Sequence, residues 1–546
     1  MKARLIRLLL YLIFVTGVAK SQSWQWLKGG SDNCPDQVEA ICTDVNGNTY
    51  MLGSFGGSFL PGCKSYMLFD SDTVWGLGDN QLYLVKYSPS GNVLWSKSIG
   101  GNNPFAIGCG YCERSYSICY DSINNSVYLT GSLYGSATFG STTLSGSGES
   151  FLTKLDVGGN FIWAKLYGTH STTARVTTDL SGNVFLTGGS NDSVYFDSIV
   201  IPPGSFWAKL DPGGNAIWAK IVAINAGIID HLIFAGNNIY ALFVTSNDTA
   251  WIDTSLFISG SIHNNILAKF DSSGTIQWLT SYYSNATTYF FSIFNKDAAG
   301  NFYITGPFDL DIHFGSTTLT SQGASDFYFA KYDANGNFVW AEQGHATNGA
   351  TTTSIVTSPD GSTYIGGVYN GNLVLGSFNI STTSNEIFIA RYNKNGDCLG
   401  VLQMGAATQP VTISKDNSEN LIVAATFNPP GYSLGGFTLN YFGGVFIAKH
   451  DVITGVEEND RVIKNQLLIY ANPTAGKCKI TLPDDFKYEE NLVLSIYNSS
   501  GELIRQQKLE MTEGKISLNL EAEAKGLYNV ILSNGHKNYS GKIVFE

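Results

Sequence analysis

The sequence predicts an all-β protein: a seven-bladed β-propeller closed by its own N-terminal strand, followed by a small Ig-like β-sandwich. Three observations lead there. A strand–turn–strand pattern recurs down most of the chain, a second Asp/Gly/Asn turn recurs upstream of each copy, and the composition shifts after about Thr454.

The recurring pattern is clearest over residues 151–165: alternating apolar residues, the turn Asp156-Val-Gly-Gly159-Asn160, and a second strand carrying Trp163. Alternation with a period of two marks a strand, and Asp, Gly and Asn provide the hydrogen bonds and positive φ of a tight hairpin turn. Copies run from Lys86 to Trp95, Lys209 to Trp218, Lys269 to Trp278 and Lys331 to Trp340. A sixth, Arg391 to Gly396, has lost its Trp, and a seventh, Lys449 to Asp451, stops short. The period of roughly 55–68 residues suits a four-stranded propeller blade better than a solenoid coil.

Upstream of each copy lies another hairpin turn, as at Asp44-Val-Asn-Gly47-Asn48, Asp179-Leu-Ser-Gly182-Asn183 and Asp297-Ala-Ala-Gly300-Asn301. Looser versions stand at Asp121, Gly236-Asn237, Asp360-Gly361 and Asp416. Each unit therefore reads as strands a, b, c and d, with tight turns between a and b and between c and d. The b-to-c connection carries a motif of its own in Phe139-Gly-Ser-Thr-Thr-Leu144 and Phe314-Gly-Ser-Thr-Thr-Leu319. The Trp is expected to pack between blades, the alternative being a stacking platform for a ligand.

The first strand after the N-terminal segment, Trp24 to Gly30, matches a d strand such as Trp95 to Gly101, whereas the array ends on a c strand that lacks its d partner. Joining the two removes both free edges. By this connectivity the tight turns share one face and the b-to-c and d-to-a connections share the other. The second face collects Tyr66, Trp75, Tyr111, Tyr134, Tyr282, Tyr283 and Tyr441, and His170 and His345 follow d strands. These nine form the expected ligand face, because binding groups concentrate on connections held by a rigid scaffold. The alternative is that each simply packs its loop down.

Charge is low at 14% and the net charge is −12, without a basic stripe, which excludes a nucleic-acid surface of the usual kind. Residues 1–21 read as a secretory signal: Lys2, Arg4 and Arg7, an apolar run from Leu8 to Val18, and Ala19-Lys20-Ser21 as a small-x-small cleavage site. Gln22 would begin the mature chain, and no Cys follows to take a lipid. In an exported chain, Cys34, Cys42, Cys63, Cys109, Cys112 and Cys119 are disulfide candidates, with the pairing open and with a metal site at Cys109-Gly-Tyr-Cys112 as the alternative. Cys398 and Cys478 have no evident mates.

The propeller is assigned to 22–453, a polar linker to 454–465 and a second domain to 466–546. Roughly 24 of the last 91 residues are charged, against about 52 of the first 455, which marks a boundary. Seven short alternating strands follow, at 467–470, 477–482, 492–497, 503–508, 515–520, 528–533 and 542–545, as a small sandwich would need. Tyr470-Ala-Asn472-Pro473-Thr-Ala-Gly476, the run from Ile496 through Gly501 to Ile504, Gly526-Leu-Tyr528 and Lys542-Ile-Val-Phe545 resemble the type A C-terminal sorting domain of the type IX secretion system. The family usually has Pro where this chain has Ala471. The upstream array resembles bacterial β-propeller repeats that accompany such domains.

The resemblance implies transit through the periplasm of a Gram-negative bacterium and recognition by an outer-membrane translocon and a sortase-like peptidase. It also implies a secreted or cell-surface destination. Tyr470, Asn472, Pro473, Gly476, Gly501, Gly526, Tyr528 and Lys542 match its motif and would serve recognition or folding. No HExxH, GxSxG, phosphate-binding or EF-hand pattern occurs, so neither a cofactor nor a catalytic residue is assigned. Asp309, Asp311 and His313 alternate along one extended segment and could ligate a cation or do acid/base work; a solvent-facing strand is the plainer account. Two functions remain: an exported protein that binds a glycan or protein, or a secreted polysaccharide hydrolase or lyase with converging carboxylates.

Overall fold

The computed structural model describes residues 23–31, 36–55, 66–76, 81–101, 116–168, 175–190, 192–224, 229–235, 238–245, 249–252, 255–258, 263–285, 292–406, 408–453, 455–458, 467–470, 474–483, 486, 491–498, 503–509, 515–534 and 538–545. The chain divides into two compact units, 1–459 and 460–546.

In the larger unit the strands follow one another in antiparallel foursomes, a to d. The a strands are Gln37–Thr43, Ser117–Asp121, Arg175–Thr178, Ile229–Ala235, Ile293–Lys296, Ala350–Thr357 and Thr408–Lys415. Each touches the next, and the last returns to touch the first, so the inner strands close a propeller-like ring. The final foursome is completed from the far end of the chain. Trp24–Ser31 lies antiparallel to Phe437–His450, with Trp26 opposite Lys449 and Lys28 opposite Ile447.

The core of this unit lies in the joints between foursomes. Tyr50 and Leu84 of the first meet Ile118, Leu129 and Phe151 of the second. Met51 and Val85 meet Ile422 and Ile447 where the ring closes. Every other joint has its own cluster of the same kind. Strands b and c are therefore buried on both faces, unlike the outer d strands, which are mostly half-buried.

One row of side chains repeats across the foursomes. Tyr50 on strand b lies opposite Lys86 on c, which lies opposite Trp95 on d. The same holds for Tyr128, Lys154 and Trp163, for Phe185, Lys209 and Trp218, and for Tyr303, Lys331 and Trp340. The ammonium of Lys86 sits 4.8 Å from the centre of the Tyr50 ring and 3.5 Å from Asp44 Oδ2. It donates at 3.0 Å to the carbonyl of Val157 in the next foursome, and Trp95 Nε1 donates to the same oxygen at 3.1 Å. Lys154 and Trp163 converge likewise on Pro212 O, at 3.3 and 3.2 Å. At the closing joint Lys449 and Trp26 converge on Pro89 O, at 3.2 and 3.0 Å.

The receiving turn is a tight turn with a Gly bulge: Gly214 N donates to Asp211 O at 2.9 Å and Asp211 N to Asn215 O at 2.8 Å. Gly214 has φ +74, and a β-carbon there would come 2.8 Å from Trp163 Cη2. Gly91 stands in the same relation to Trp26, Gly159 to Trp95, and Gly336 to Trp278. Glycine is required twice over, by the left-handed backbone and by the ring lying on it. The Trp thus packs between units, as the sequence predicts, and does not serve as an open platform.

The sixth foursome, with Gly400 in the Trp position, is finished differently. Arg391 Nη1 donates to Ile453 O at 3.2 Å, Ile453 N donates to Tyr364 Oη at 3.3 Å, and the Ile453 side chain is buried. Gly455–Glu458 then runs parallel to the d strand, with Gly400 opposite Gly455. Within the expected polar linker over 454–465, Gly455–Glu458 thus lies along this sheet edge, and the other residues of the linker lie outside the described residues.

The b-to-c connections also differ from the expected loops. Several are hairpins that extend the neighbouring sheet: Tyr66–Phe69 pairs with Trp24–Ser31, Thr249–Ile252 with Ala216–Ile224, and Asp311–Phe314 with Ile276–Ser284. Phe314-Gly-Ser-Thr-Thr-Leu319 supplies the tight turn of the last of these, and Phe139-Gly-Ser-Thr-Thr-Leu144 that between Ser126–Phe139 and Thr142–Asp156, with Gly315 and Gly140 at positive φ. An unpaired edge invites association, and each hairpin shields part of the outer edge it joins.

Cys42 and Cys119 are free thiols, which overturns the disulfide expectation for these two. They lie within inner strands opposite Tyr50 and Tyr128, packed into the strand layer instead of a loop, and burial pushes both thiols up. Cys398 and Cys478 are free as well. Cys34, Cys63, Cys109 and Cys112 lie outside the described residues, as does the predicted signal segment.

The smaller unit holds a three-stranded sheet, in the order Leu468–Tyr470, Lys477–Thr481, Lys515–Asn519, and a four-stranded sheet, in the order Leu503–Leu509, Leu492–Asn498, Gly526–Ser533, Asn538–Phe545. One core joins them: Cys478, Ile480, Ile516 and Leu518 from the first sheet against Leu494, Ile496, Val530, Leu532 and Ile543 from the second.

Trp163→Ala is expected to destabilise the protein by about 3 kcal/mol, because it removes both the ring on Gly214 and the bond to Pro212. Trp75→Ala, at a ring 62% exposed, is expected to stay within about 0.5 kcal/mol. Urea denaturation of the two variants measures the contrast.

Candidate functional site

The expected ligand face resolves into separate places. Tyr66 and Trp75 are opposite one another across a hairpin, with ring centroids 5.0 Å apart. Met67, Phe69 and Val74 anchor that hairpin by turning inward, and a Lys28–Asp70 ion pair of 2.8 Å holds its turn. The Trp75 ring is largely open to solvent.

Tyr283 forms a second exposed aromatic pair, stacked on His313 at 4.5 Å with an interplanar angle of 21°. His313 Nε2 is 3.2 Å from the amide nitrogen of Asn285, and Nδ1 is 2.9 Å from Thr318 Oγ1. Asp311 shares the exposed face of that strand with His313, but its Oδ1 accepts from Thr320 Oγ1 at 2.7 Å. These two side chains are thus held by separate neighbours, on a strand whose other face enters the core.

Tyr282, one residue from Tyr283, points the opposite way. It is buried, stacked on Phe314, and exchanges a 2.8 Å hydrogen bond with Tyr328 Oη. Period-two alternation decides this, and Tyr282 leaves the ligand face. Tyr134 lies half-buried within Ser126–Phe139, beside Gly148. Tyr441 belongs to Phe437–His450 with its side chain outside the described residues, and Tyr111 and His170 lie outside them altogether.

His345 is tied to a carboxylate that sequence inspection missed. Asp326, fully buried, lies 3.1 Å from His345 Nδ1 and accepts from Gln343 Nε2 at 2.5 Å, Gln322 N at 3.0 Å and Ala346 N at 2.9 Å. Glu386 occupies the matching position one foursome on and accepts from Gln403 Nε2 at 2.6 Å. The signal available was an acidic residue opening an otherwise apolar c strand. Both carboxylates are engaged in fastening strand c to strand d. Burial raises Tyr83 and Tyr116, and Glu39, on the first inner strand, adds to both. Among the described residues no group of three or more His, Cys, Asp or Glu is arranged to hold a metal ion.

The Asp turns are satisfied from within. Asp333 Oδ1 accepts from Asn335 N and Asn337 N at 2.9 and 2.8 Å, and Oδ2 from Asn337 Nδ2 at 2.9 Å. The side-chain bond from Asn337 and the backbone bonds together outweigh burial and hold the Asp333 carboxyl below its usual value. At Asp271 the Ser273 hydroxyl leads the same effect. In the sixth copy Asn393 Oδ1 takes the part of the carboxylate, accepting from Asn395 N and Asp397 N at 2.8 and 3.0 Å.

In the smaller unit the motif residues shape turns. Gly476 has φ +114, its N–H donates to Thr474 Oγ1 at 3.2 Å, and a β-carbon would meet Glu521 Cγ at 2.7 Å. Tyr528 is buried, with its hydroxyl donating to Ala524 O. Gly526 opens the strand at φ +157, and Lys542 stands exposed opposite Asn529. Tyr470 ends Leu468–Tyr470 with its side chain outside the described residues, and Asn472, Pro473 and Gly501 lie outside them altogether.

Residues 468–546 match the family described as the secretion system C-terminal sorting domain. The chain ends in a sorting domain. Such a domain marks a protein exported by the type IX system, to the medium or the cell surface. An uncharacterized WD repeat-containing protein of Acanthamoeba polyphaga mimivirus is 23% identical to this chain across 375 residues. That match takes in 53% of this chain and 27% of the relative, so the chain spans about a quarter of the relative's length. Among solved structures, BamB from Moraxella catarrhalis is similar at a TM-score of 0.33 and 12% identity, covering 78% of this chain and 97% of that one. A protein of unknown function from Dyadobacter fermentans gives a TM-score of 0.33 at 12% identity, over 62% and 94%.

A carboxyl held below its unfolded value stabilises the fold above that unfolded value, about 3.9, and loses the contribution as pH falls through the folded one. The thermal midpoint is therefore expected to hold from neutral pH down to about 5 and to fall below about 4. Asp333→Asn, which keeps the two backbone bonds to Oδ1 as Asn393 does, should flatten the acid slope. Calorimetry across the pH series checks both.

Proposed function

We propose that this chain is an exported or cell-surface binding protein, in which a seven-bladed β-propeller presents the ligand surface and an Ig-like β-sandwich is the export address. The observation that carries the proposal is the match of 468–546 to a sorting domain. The closed order of inner strands and the pairing of Trp24–Ser31 with Phe437–His450 support the blade count. The two sheets around one core support the sandwich. In this reading an outer-membrane translocon recognises the sorting domain after periplasmic transit, and a sortase-like peptidase removes it.

Binding is preferred to polysaccharide cleavage because Asp311, Asp326 and Glu386 are each engaged by neighbours. Acid/base cleavage needs two carboxyl groups facing one sugar across a set gap. The exposed aromatic pairs Tyr66–Trp75 and Tyr283–His313 are the surfaces best suited to a glycan or protein ligand.

Deleting 467–546 is expected to leave the protein in the periplasm, whereas the intact chain reaches the outside trimmed beyond Glu458. Intact-mass analysis of periplasm, cell surface and medium tests this, and unchanged export of the deleted chain would overturn the reading. A ring ended at Glu458 should also melt higher than one ended at Asp451, because the second lacks Ile453 and the covering strand.

A further inference from the structure

The joint between the fourth and fifth foursomes lacks a carboxylate that its sisters possess. In the first foursome residues 44–48 form the turn between strands a and b, and Asp44 accepts from Tyr50 Oη at 3.3 Å and lies 3.5 Å from Lys86 Nζ. In the fifth, Asp297 accepts from Tyr303 Oη at 3.2 Å. Asp179 and Asp416 lie 3.1 and 2.7 Å from Lys209 and Lys449. In the fourth foursome Ala235 pairs with Asn238, so Gly236 and Asn237 replace the longer turn and its Asp is gone.

The groups that meet this Asp elsewhere are still there. Tyr240 lies opposite Lys269, which lies opposite Trp278, the same row as Tyr50, Lys86 and Trp95. Lys269 Nζ is 5.9 Å from the centre of the Tyr240 ring. Lys296 Nζ, from the last residue of the next a strand, is 5.2 Å from it. Among the described residues neither ammonium has an ion-pair or hydrogen-bond partner, and the Tyr240 hydroxyl has no acceptor. Trp278 Nε1 is buried and likewise unpartnered, although Trp95 and Trp163 donate theirs across a joint. Burial pulls the Lys296 ammonium below its usual value, Asp297 opposes this, and Lys269 adds to it.

Nearby carboxylates are spoken for or remote. Asp297 accepts from Asn301 Nδ2 at 2.7 Å, and Asp271 from Ser273 Oγ at 2.6 Å and Thr275 N at 3.0 Å. Asp230 stands five residues before Ala235, about 16 Å along the strand, and Asp248 and Asp253 follow Thr245, the far end of strand b. The sixth foursome also lost its turn Asp, with Ser358 in its place, but there Glu419 reaches Lys415, the counterpart of Lys296, at 2.7 Å.

We propose that Tyr240, Lys269, Lys296 and Trp278 bind the carboxylate of a small acid, which takes the place of the missing turn Asp at this joint. Two half-buried ammonium groups beside one ring are unfavourable until an anion joins them. A carboxylate suits the place because the sister joints put one there, with a phenol and an ammonium as its partners. The site belongs to the tight-turn end of the strands and does not depend on the export reading.

The test uses the purified chain with its tryptophan indoles labelled with nitrogen-15, the Trp278 resonance being the one lost in Trp278→Phe. Sodium acetate is titrated against sodium chloride at constant ionic strength and neutral pH. Acetate is expected to move the Trp278 resonance saturably and to leave the other indoles in place. Lys269→Met with Lys296→Met should weaken the apparent affinity at least about tenfold. Lys296→Met alone carries the same readout should the double variant fail to fold. Lys508→Met with Lys542→Met, the same loss of charge in the other unit, should leave the response unchanged. A Trp278 resonance that moves no further in acetate than in chloride overturns the inference, as does a response that survives loss of both lysines. Inorganic phosphate moving the resonance where acetate does not would assign the site to phosphate and overturn it too.

Discussion

The ring depends on one contact, a tryptophan lying on a glycine in the turn of the next unit. A propeller foursome twisted against its neighbour has little to fix its angle except side chains at the joint. Trp163 on Gly214 supplies apolar area at the outer end of the joint, and the paired donors of Lys154 and Trp163 on Pro212 O set the direction. The lysine is carried into a mostly apolar place by three compensations: an aromatic ring on strand b, the turn Asp, and a carbonyl across the joint. A buried ammonium without them would be costly. Removing the side chain of any one member leaves the others with unmet needs, which ties neighbouring units together.

Closure follows from the same contact. Trp26 does for the last joint what Trp95 does for the first, although it comes from the opposite end of the chain. Where the sixth copy has Gly400 instead of Trp, the joint is made by Arg391, Tyr364 and the backbone of Ile453, and the segment leading to the sorting domain continues as an edge strand. The exit from the ring is thereby part of the ring's own structure.

The sorting domain divides its labour differently. Gly476, Gly526 and Tyr528 serve backbone geometry and core, and the lysines of Lys477–Thr481 and Lys515–Asn519 face outward.

Much of this was legible in the chain itself. Period-two alternation, the Asp-x-x-Gly-Asn turns and the spacing of Lys and Trp determined the strands, their hairpins and the completion of the last unit, because these are local rules of backbone and side-chain direction. The motif from Tyr470 to Lys542 likewise marked the sorting domain. Only the tertiary structure decided that Tyr282 is core while Tyr283 is surface, that the Phe-Gly-Ser-Thr-Thr-Leu hairpins cover neighbouring edges, that Cys42 and Cys119 are unpaired, and that Asp326 fastens two strands. These depend on which residues distant in sequence share a joint, and burial and pairing at a joint are set by several strands at once.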